Sequence, residues 1–159
     1  THLGHSFPTR RSSDLDDIVH VVRSRYSHIT SMSIRPGSRV PMYCTGSGRL
    51  WLASFSQEAL CAYFQRNPPR AITPYTLTDE ALIRREIALA GERGYVMVDQ
   101  EYEVGMRVLS VPLIDREGQL QATLTLTTHA SRMTVEDMRE RYLSPLYEGQ
   151  ALLRPIMTL

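Results

Sequence analysis

Two cysteines, one tryptophan and three phenylalanines are all that this 159-residue chain carries of those types. Cys44 and Cys61 are too few for a disulfide framework and stand in no metal-ligand spacing. The five histidines show no paired metal spacing either, so no metal and no other cofactor is expected. Charge of one sign is lacking too: the formal net charge is +1. Basic residues adjoin only at Arg10-Arg11 and Arg84-Arg85, which gives no electrostatic footprint for holding DNA unaided. No apolar run approaches the ~20 residues needed to cross a bilayer. The first fifteen residues contain no apolar stretch of the signal-peptide kind. What remains is ordinary: 42% hydrophobic and 22% charged residues, the balance of a single cytoplasmic domain with a real core.

The opening, Thr1 to Leu15, is polar and irregular. His5-Ser6-Phe7-Pro8-Thr9-Arg10-Arg11-Ser12-Ser13-Asp14-Leu15 resembles a translated sequencing-adapter peptide. Residues 1–15 are therefore expected to be non-native or a disordered tail, with a truncated domain over 16–159. Asp17 to Arg23 is short and β-branched, which predicts a strand. Ile29 to Ile34 predicts a second. Thr45 is placed as an N-cap, with a helix from Gly46 to about Ser54; Ser56 caps the next, which Asn67-Pro68-Pro69 ends. Thr78 or Asp79 caps a longer helix that closes at Gly94. Strands follow at Tyr95–Val98, Met106–Ile114 and Leu120–Thr127, the last two joined by a turn at Asp115–Gly118. In the last strand Thr123, Thr125 and Thr127 alternate with Ala122, Leu124 and Leu126, one face hydroxyl and the other apolar. Thr134 caps a final helical region that Pro145 is expected to kink or split. Hairpin-linked strands with helices between and after them predict an α+β domain with an antiparallel sheet.

Catalytic motifs fare poorly. Cys44-Thr45-Gly46-Ser47-Gly48 lacks the first glycine of a nucleophile elbow, and no Gly-Lys-Ser/Thr completes a phosphate loop. A Cys-dependent hydrolase using Cys44 with His20, His28 or His129 is the alternative class; a cysteine beside an apolar run is more often core. The binding features are better. The helix start at Thr45, Gly46 and Ser47 offers unpaired backbone donors to a carboxylate. Arg107 sits in an apolar strand, so it needs Glu101, Glu103 or an acidic ligand as partner.

Several segments in order resemble the effector-binding domain of IclR-type bacterial transcription regulators. They are Ile18-Val19-His20-Val21, Arg39-Val40-Pro41-Met42-Tyr43-Cys44-Thr45-Gly46-Ser47-Gly48-Arg49, Thr76-Leu77-Thr78, Arg93-Gly94-Tyr95, Glu101 with Gly105-Met106-Arg107, Val111-Pro112 and Ser131-Arg132-Met133-Thr134. The form of the second is most similar to regulators of aromatic-acid and β-ketoadipate pathways. The resemblance implies a GAF-like fold, a curved antiparallel sheet flanked by helices. It implies a homodimer or homotetramer, and DNA binding only through an N-terminal winged helix-turn-helix that this chain lacks. It also implies a small organic acid, aromatic or dicarboxylic, as effector. The pocket positions it implies are Ile29, Met32, Val40, Gly46, Ser47, Val98, Met106, Val108, Thr125 and Thr127; Thr45 and Arg107 join them from the residues themselves. Val98 and Val108 stand where relatives carry an acid and a cysteine, which implies a more apolar pocket here.

Overall fold

The computed structural model describes residues 2–7, 16–23, 37 and 39–155. Three short strands come first: β1 (His2–Phe7), β2 (Asp17–Arg23) and β3 (Arg39–Pro41). Helices α1 (Gly46–Ala53), α2 (Gln57–Arg66) and α3 (Glu80–Arg93) follow. Strands β4 (Val96–Asp99), β5 (Met106–Ile114) and β6 (Leu120–His129) precede the last helix, α4 (Val135–Leu153). The six strands form one sheet in the order β3-β2-β1-β6-β5-β4, and each neighbouring pair is antiparallel.

The period of two along β5 and β6 assigns each residue to a face of this sheet. Leu109, Val111, Leu113, Ala122, Leu124 and Leu126 form one buried cluster with Met138 and Leu146 of α4. Met106 and Val108 face the other way and cluster with Leu50 of α1, Ala90 of α3, and Val96 and Val98. The threonines of β6 share that second face, so the hydroxyl ladder lies under α1 and is not left to water. A third cluster joins Ile18, Val40, Met42, Tyr43 and Cys44 to apolar residues of α1, α2 and α3.

The helix ends follow from local chemistry. Thr45 accepts from the Gly48 amide, Ser56 from Ala59, and Asp79 from Ala81 and Leu82. Gly94 takes a left-handed φ of 71° as α3 ends. Thr134 and Asp137 form a reciprocal capping box at α4.

One expectation needs correction, two strands went unforeseen, and one expected strand falls outside the described residues. Residues His2–Phe7 of the opening segment form β1, which pairs with both β2 and β6. Main-chain pairing asks little of residue type, so composition could not reveal it. Pro145 does not split α4, which runs unbroken from Val135 to Leu153. Met138 and Leu146, buried on either side of it, hold both halves to the sheet against the lost backbone bond. Arg39–Pro41 is a strand that sequence pattern missed, being only three residues long and containing Pro. The expected strand at Ile29–Ile34 lies outside the described residues.

Candidate functional site

The first turn of α1 presses onto the hydroxyl face of the sheet. A Cβ on Gly46 would lie 2.5 Å from Ser110 Oγ, and one on Gly48 would lie 2.2 Å from both Cα and O of Met42. Both positions require glycine because backbone and sheet approach so closely. Ser47 then reaches into the threonine ladder. Thr123 donates to Ser47 Oγ at 2.8 Å, Ser47 and Thr125 hydroxyls are 3.1 Å apart, and Ser110 and Thr125 hydroxyls 2.9 Å. Four hydroxyls are thus buried together with hydrogen bonds linking them, which removes most of the cost of desolvating them.

Beside this network is a cavity of about 30 Å³. Thr45, Gly46 and Ser47 form its helical side, and Val98, Met106 and Val108 an apolar wall. Thr125 and Thr127 contribute the hydroxyl side, with Cys44 at the edge. Thr127 is 7% exposed, and its hydroxyl has no protein partner among the described residues. No cationic side chain lines the described wall. An anion there would be met by neutral hydroxyls and by the positive end of the α1 dipole.

The site residues expected from sequence divide into groups. Thr45, Gly46, Ser47, Val98, Met106, Val108, Thr125 and Thr127 come together around the cavity. Val40 is fully buried in the neighbouring apolar cluster with Ile18 and Met42. Ile29 and Met32 lie outside the described residues. Arg107 is elsewhere. It projects to the opposite face of β5, where its Nε and Nη2 each lie 2.9 Å from an Asp99 carboxylate oxygen. Its Nη1 donates to the Met133 and Ala130 carbonyls. Asp99 is its cross-strand neighbour, so a directly opposed pair replaces the expected Glu101, Glu103 or ligand.

Glu101 has a different partner that sequence reasoning missed. Arg49 Nη1 and Nη2 donate to its two oxygens, each at 2.7 Å, and Arg49 Nε donates to the Tyr43 carbonyl at 2.9 Å. The Leu77 amide adds a bond to Glu101 at 3.2 Å. Ser110 was missed as well, and Thr123 was placed on the hydroxyl face but not among the site residues. Their hydroxyls face α1 only because of strand alternation, a signal that was available.

Cys44 is fully buried, and burial pushes its thiol up to about 12, with the nearby Glu101 charge adding to the shift and Arg49 opposing it. A thiol held protonated is a poor nucleophile, which leaves the hydrolase alternative without its reactive group. Among the described residues no group of His, Cys, Asp and Glu could hold a metal ion.

Comparison with known proteins agrees with this architecture. Residues 9–150 match the model of the bacterial transcriptional regulator IclR C-terminal family. The chain belongs to that family. It is the C-terminal, effector-binding part of an IclR-type regulator, and the family is one of transcription regulators, not of enzymes. The Pca regulon regulatory protein of Pseudomonas putida is 36% identical over 129 residues, covering 80% of this chain and 44% of that protein. The p-hydroxybenzoate hydroxylase transcriptional activator of Acinetobacter baylyi is 24% identical, covering 87% of this chain and 52% of its own length. The IclR domain thus spans about half the length of the curated relatives it matches.

Solved structures superpose closely. A double mutant of the inducer-binding domain of the PobR transcription factor from Acinetobacter, complexed with 3-hydroxybenzoic acid, has a TM-score of 0.86 at 20% identity, covering 96% of this chain and 87% of that one. An IclR homologue from Microbacterium hydrocarbonoxydans, complexed with 4-hydroxybenzoate, has a TM-score of 0.83 at 22% identity, covering 98% and 60%. At these identities the likeness is one of fold, a GAF-like α+β domain with an antiparallel sheet. No helix among the described residues is long and apolar enough to cross a membrane.

Proposed function

We propose that the cavity at the start of α1 is an effector site for a small aromatic or dicarboxylic acid. Its occupancy would modulate DNA binding by a winged helix-turn-helix outside this chain, in a homodimer or homotetramer. One observation carries the reading. A helix start and the Thr125 and Thr127 hydroxyls meet an apolar wall of Val98, Met106 and Val108 around one small space. That division suits a ring bearing a carboxylate: the ring packs on the valines, and the anion faces the helix start and the hydroxyls. Neutral donors, with no cation facing them among the described residues, also suit an effector that must bind and leave reversibly. The pathways named in the relatives and the hydroxybenzoates in the superposed structures support the same class of acid.

Occupancy would act by favouring one of two arrangements of the oligomer, which requires different affinities for the two. Arg49 ties α1 to the loop carrying Glu101, so a displacement of the helix start is felt beyond the cavity. Calorimetric titration with protocatechuate, 3-hydroxybenzoate, 4-hydroxybenzoate and β-ketoadipate tests the reading. Saturable binding of at least one is the expected result, and binding of none overturns it.

A further inference from the structure

We propose that Met106 is the movable wall of this cavity, the side chain that swings aside to admit the effector and sets its size limit. The inference rests on the reading of the cavity as the effector site. A volume of about 30 Å³ holds roughly one water molecule, far below the ~300 Å³ or more of ligand pockets in general. Something in the wall must yield before a substituted ring can enter, and the neighbours differ sharply in their freedom to do so.

The helix side cannot withdraw easily. Gly46 rests on Ser110 and Gly48 on the Met42 backbone, while Thr45 Oγ1 is held by the Pro41 carbonyl and the Gly48 amide. The hydroxyl side is tied by the bonds that join Ser47 and Thr125 to Thr123 and Ser110. Val98 and Val108 are directly opposed in the β4–β5 ladder, and branching at Cβ makes both stiff at χ1. Met106 alone among the described wall residues carries a long flexible side chain, with three rotatable bonds and a polarizable sulfur that repacks at low cost.

Its backbone, by contrast, is pinned. The Met106 amide donates to Glu103 O at 3.0 Å, and its carbonyl accepts from the Gln100 amide at 2.8 Å. The preceding Gly105, at φ 82°, bonds through its carbonyl to the Ala130 amide at 2.7 Å. Motion at this position is therefore confined to the side chain. Met106 is the first residue of β5, so this side chain stands at the end of the strand, beside the 100–105 turn.

Methyl NMR of the whole chain with carbon-13 in the methionine methyls reads the proposal directly, with the Met106 signal assigned by its loss in Met106→Leu. On titration with 4-hydroxybenzoate, the Met106 methyl should shift more than those of Met42, Met97, Met133 and Met138. Met106→Ile, stiff at χ1, should weaken 4-hydroxybenzoate by about tenfold or more, and Met106→Ala should accept the larger 2-naphthoate that the unaltered chain excludes. An unmoved Met106 methyl at saturation, or unchanged affinity in Met106→Ile, overturns the proposal. If no acid binds any variant, the effector reading fails and xenon decides the wall separately. Xenon that perturbs the Val98 and Val108 methyls in the unaltered chain but not in Met106→Ile supports the movable wall. Equal or absent xenon effects in the two contradict it.

Discussion

Arg49 and Glu101, 52 residues apart in the chain, meet in a two-pronged ion pair with both prongs at 2.7 Å and side chains 1% and 7% exposed. The pair joins the helix that bounds the cavity to the turn that leads into β5. Tyr43 O takes the Arg49 Nε proton, and the Leu77 amide adds a further bond to Glu101. Removing one partner strands a buried charge. Arg49→Met and Glu101→Gln should each lower unfolding free energy by about 3–5 kcal/mol in urea denaturation. The double variant should lose less than the sum of the two.

The glycines of the helix start make a sharper steric prediction. Gly46→Ala should cost about 1–3 kcal/mol through overpacking against Ser110. Ser110→Ala should restore part of that loss, because the 2.5 Å approach is to Oγ while Cβ stands at 3.1 Å. Gly48→Ala meets Met42 backbone at 2.2 Å, and no side-chain change should rescue it. Thermal melts of the three variants and the Gly46→Ala/Ser110→Ala pair check this.

The thiols should separate cleanly. Cys61 is exposed and Cys44 buried. An aromatic disulfide reagent at pH 8 should label one thiol in the native chain and two in denaturant. The Cys44 thiol lies above its ordinary value of 9.0, at about 12, so the native state keeps a proton that the unfolded chain gives up. Its contribution to stability is complete below pH 9 and is lost as pH rises through 12. Cys44→Ala should flatten the fall in stability over that window.

Much of this was legible in the residues. Strands at Met106–Ile114 and Leu120–Thr127, the caps at Thr45, Ser56 and Thr134, and the Gly94 helix end all announced themselves through period and local hydrogen bonding. The members of the cavity wall came from resemblance, and the structure adds which faces they share. Arg107 shows where pattern was available but not followed through. A period of two places it opposite Met106 and Val108, so all three cannot line one wall. The Arg49–Glu101 pair and the placement of His2–Phe7 were not legible, since both depend on contacts between segments far apart in the chain.

Arg107 gives a prediction of its own. Arg107→Ala should reduce stability by about 1–2 kcal/mol, toward the lower end because Asp99 exposes 41% of its side chain. Its effector affinity should stay within about twofold of the unaltered chain, a difference of well under 1 kcal/mol. Denaturation and calorimetry on the same sample separate the two effects.

The central claim is that an acid binds at the Gly46–Ser47 helix start, and one comparison tests it most directly. Affinity for 4-hydroxybenzoate, or for whichever acid binds best, is measured by calorimetry on the unaltered chain, Ser47→Asp and Arg107→Ala, with melts confirming that each variant is folded. A carboxylate introduced at Ser47 should repel the bound one and weaken binding by about tenfold or more, near 1.4 kcal/mol, while Arg107→Ala leaves it unchanged. Full affinity in a folded Ser47→Asp chain, or loss of binding in Arg107→Ala, would contradict the account.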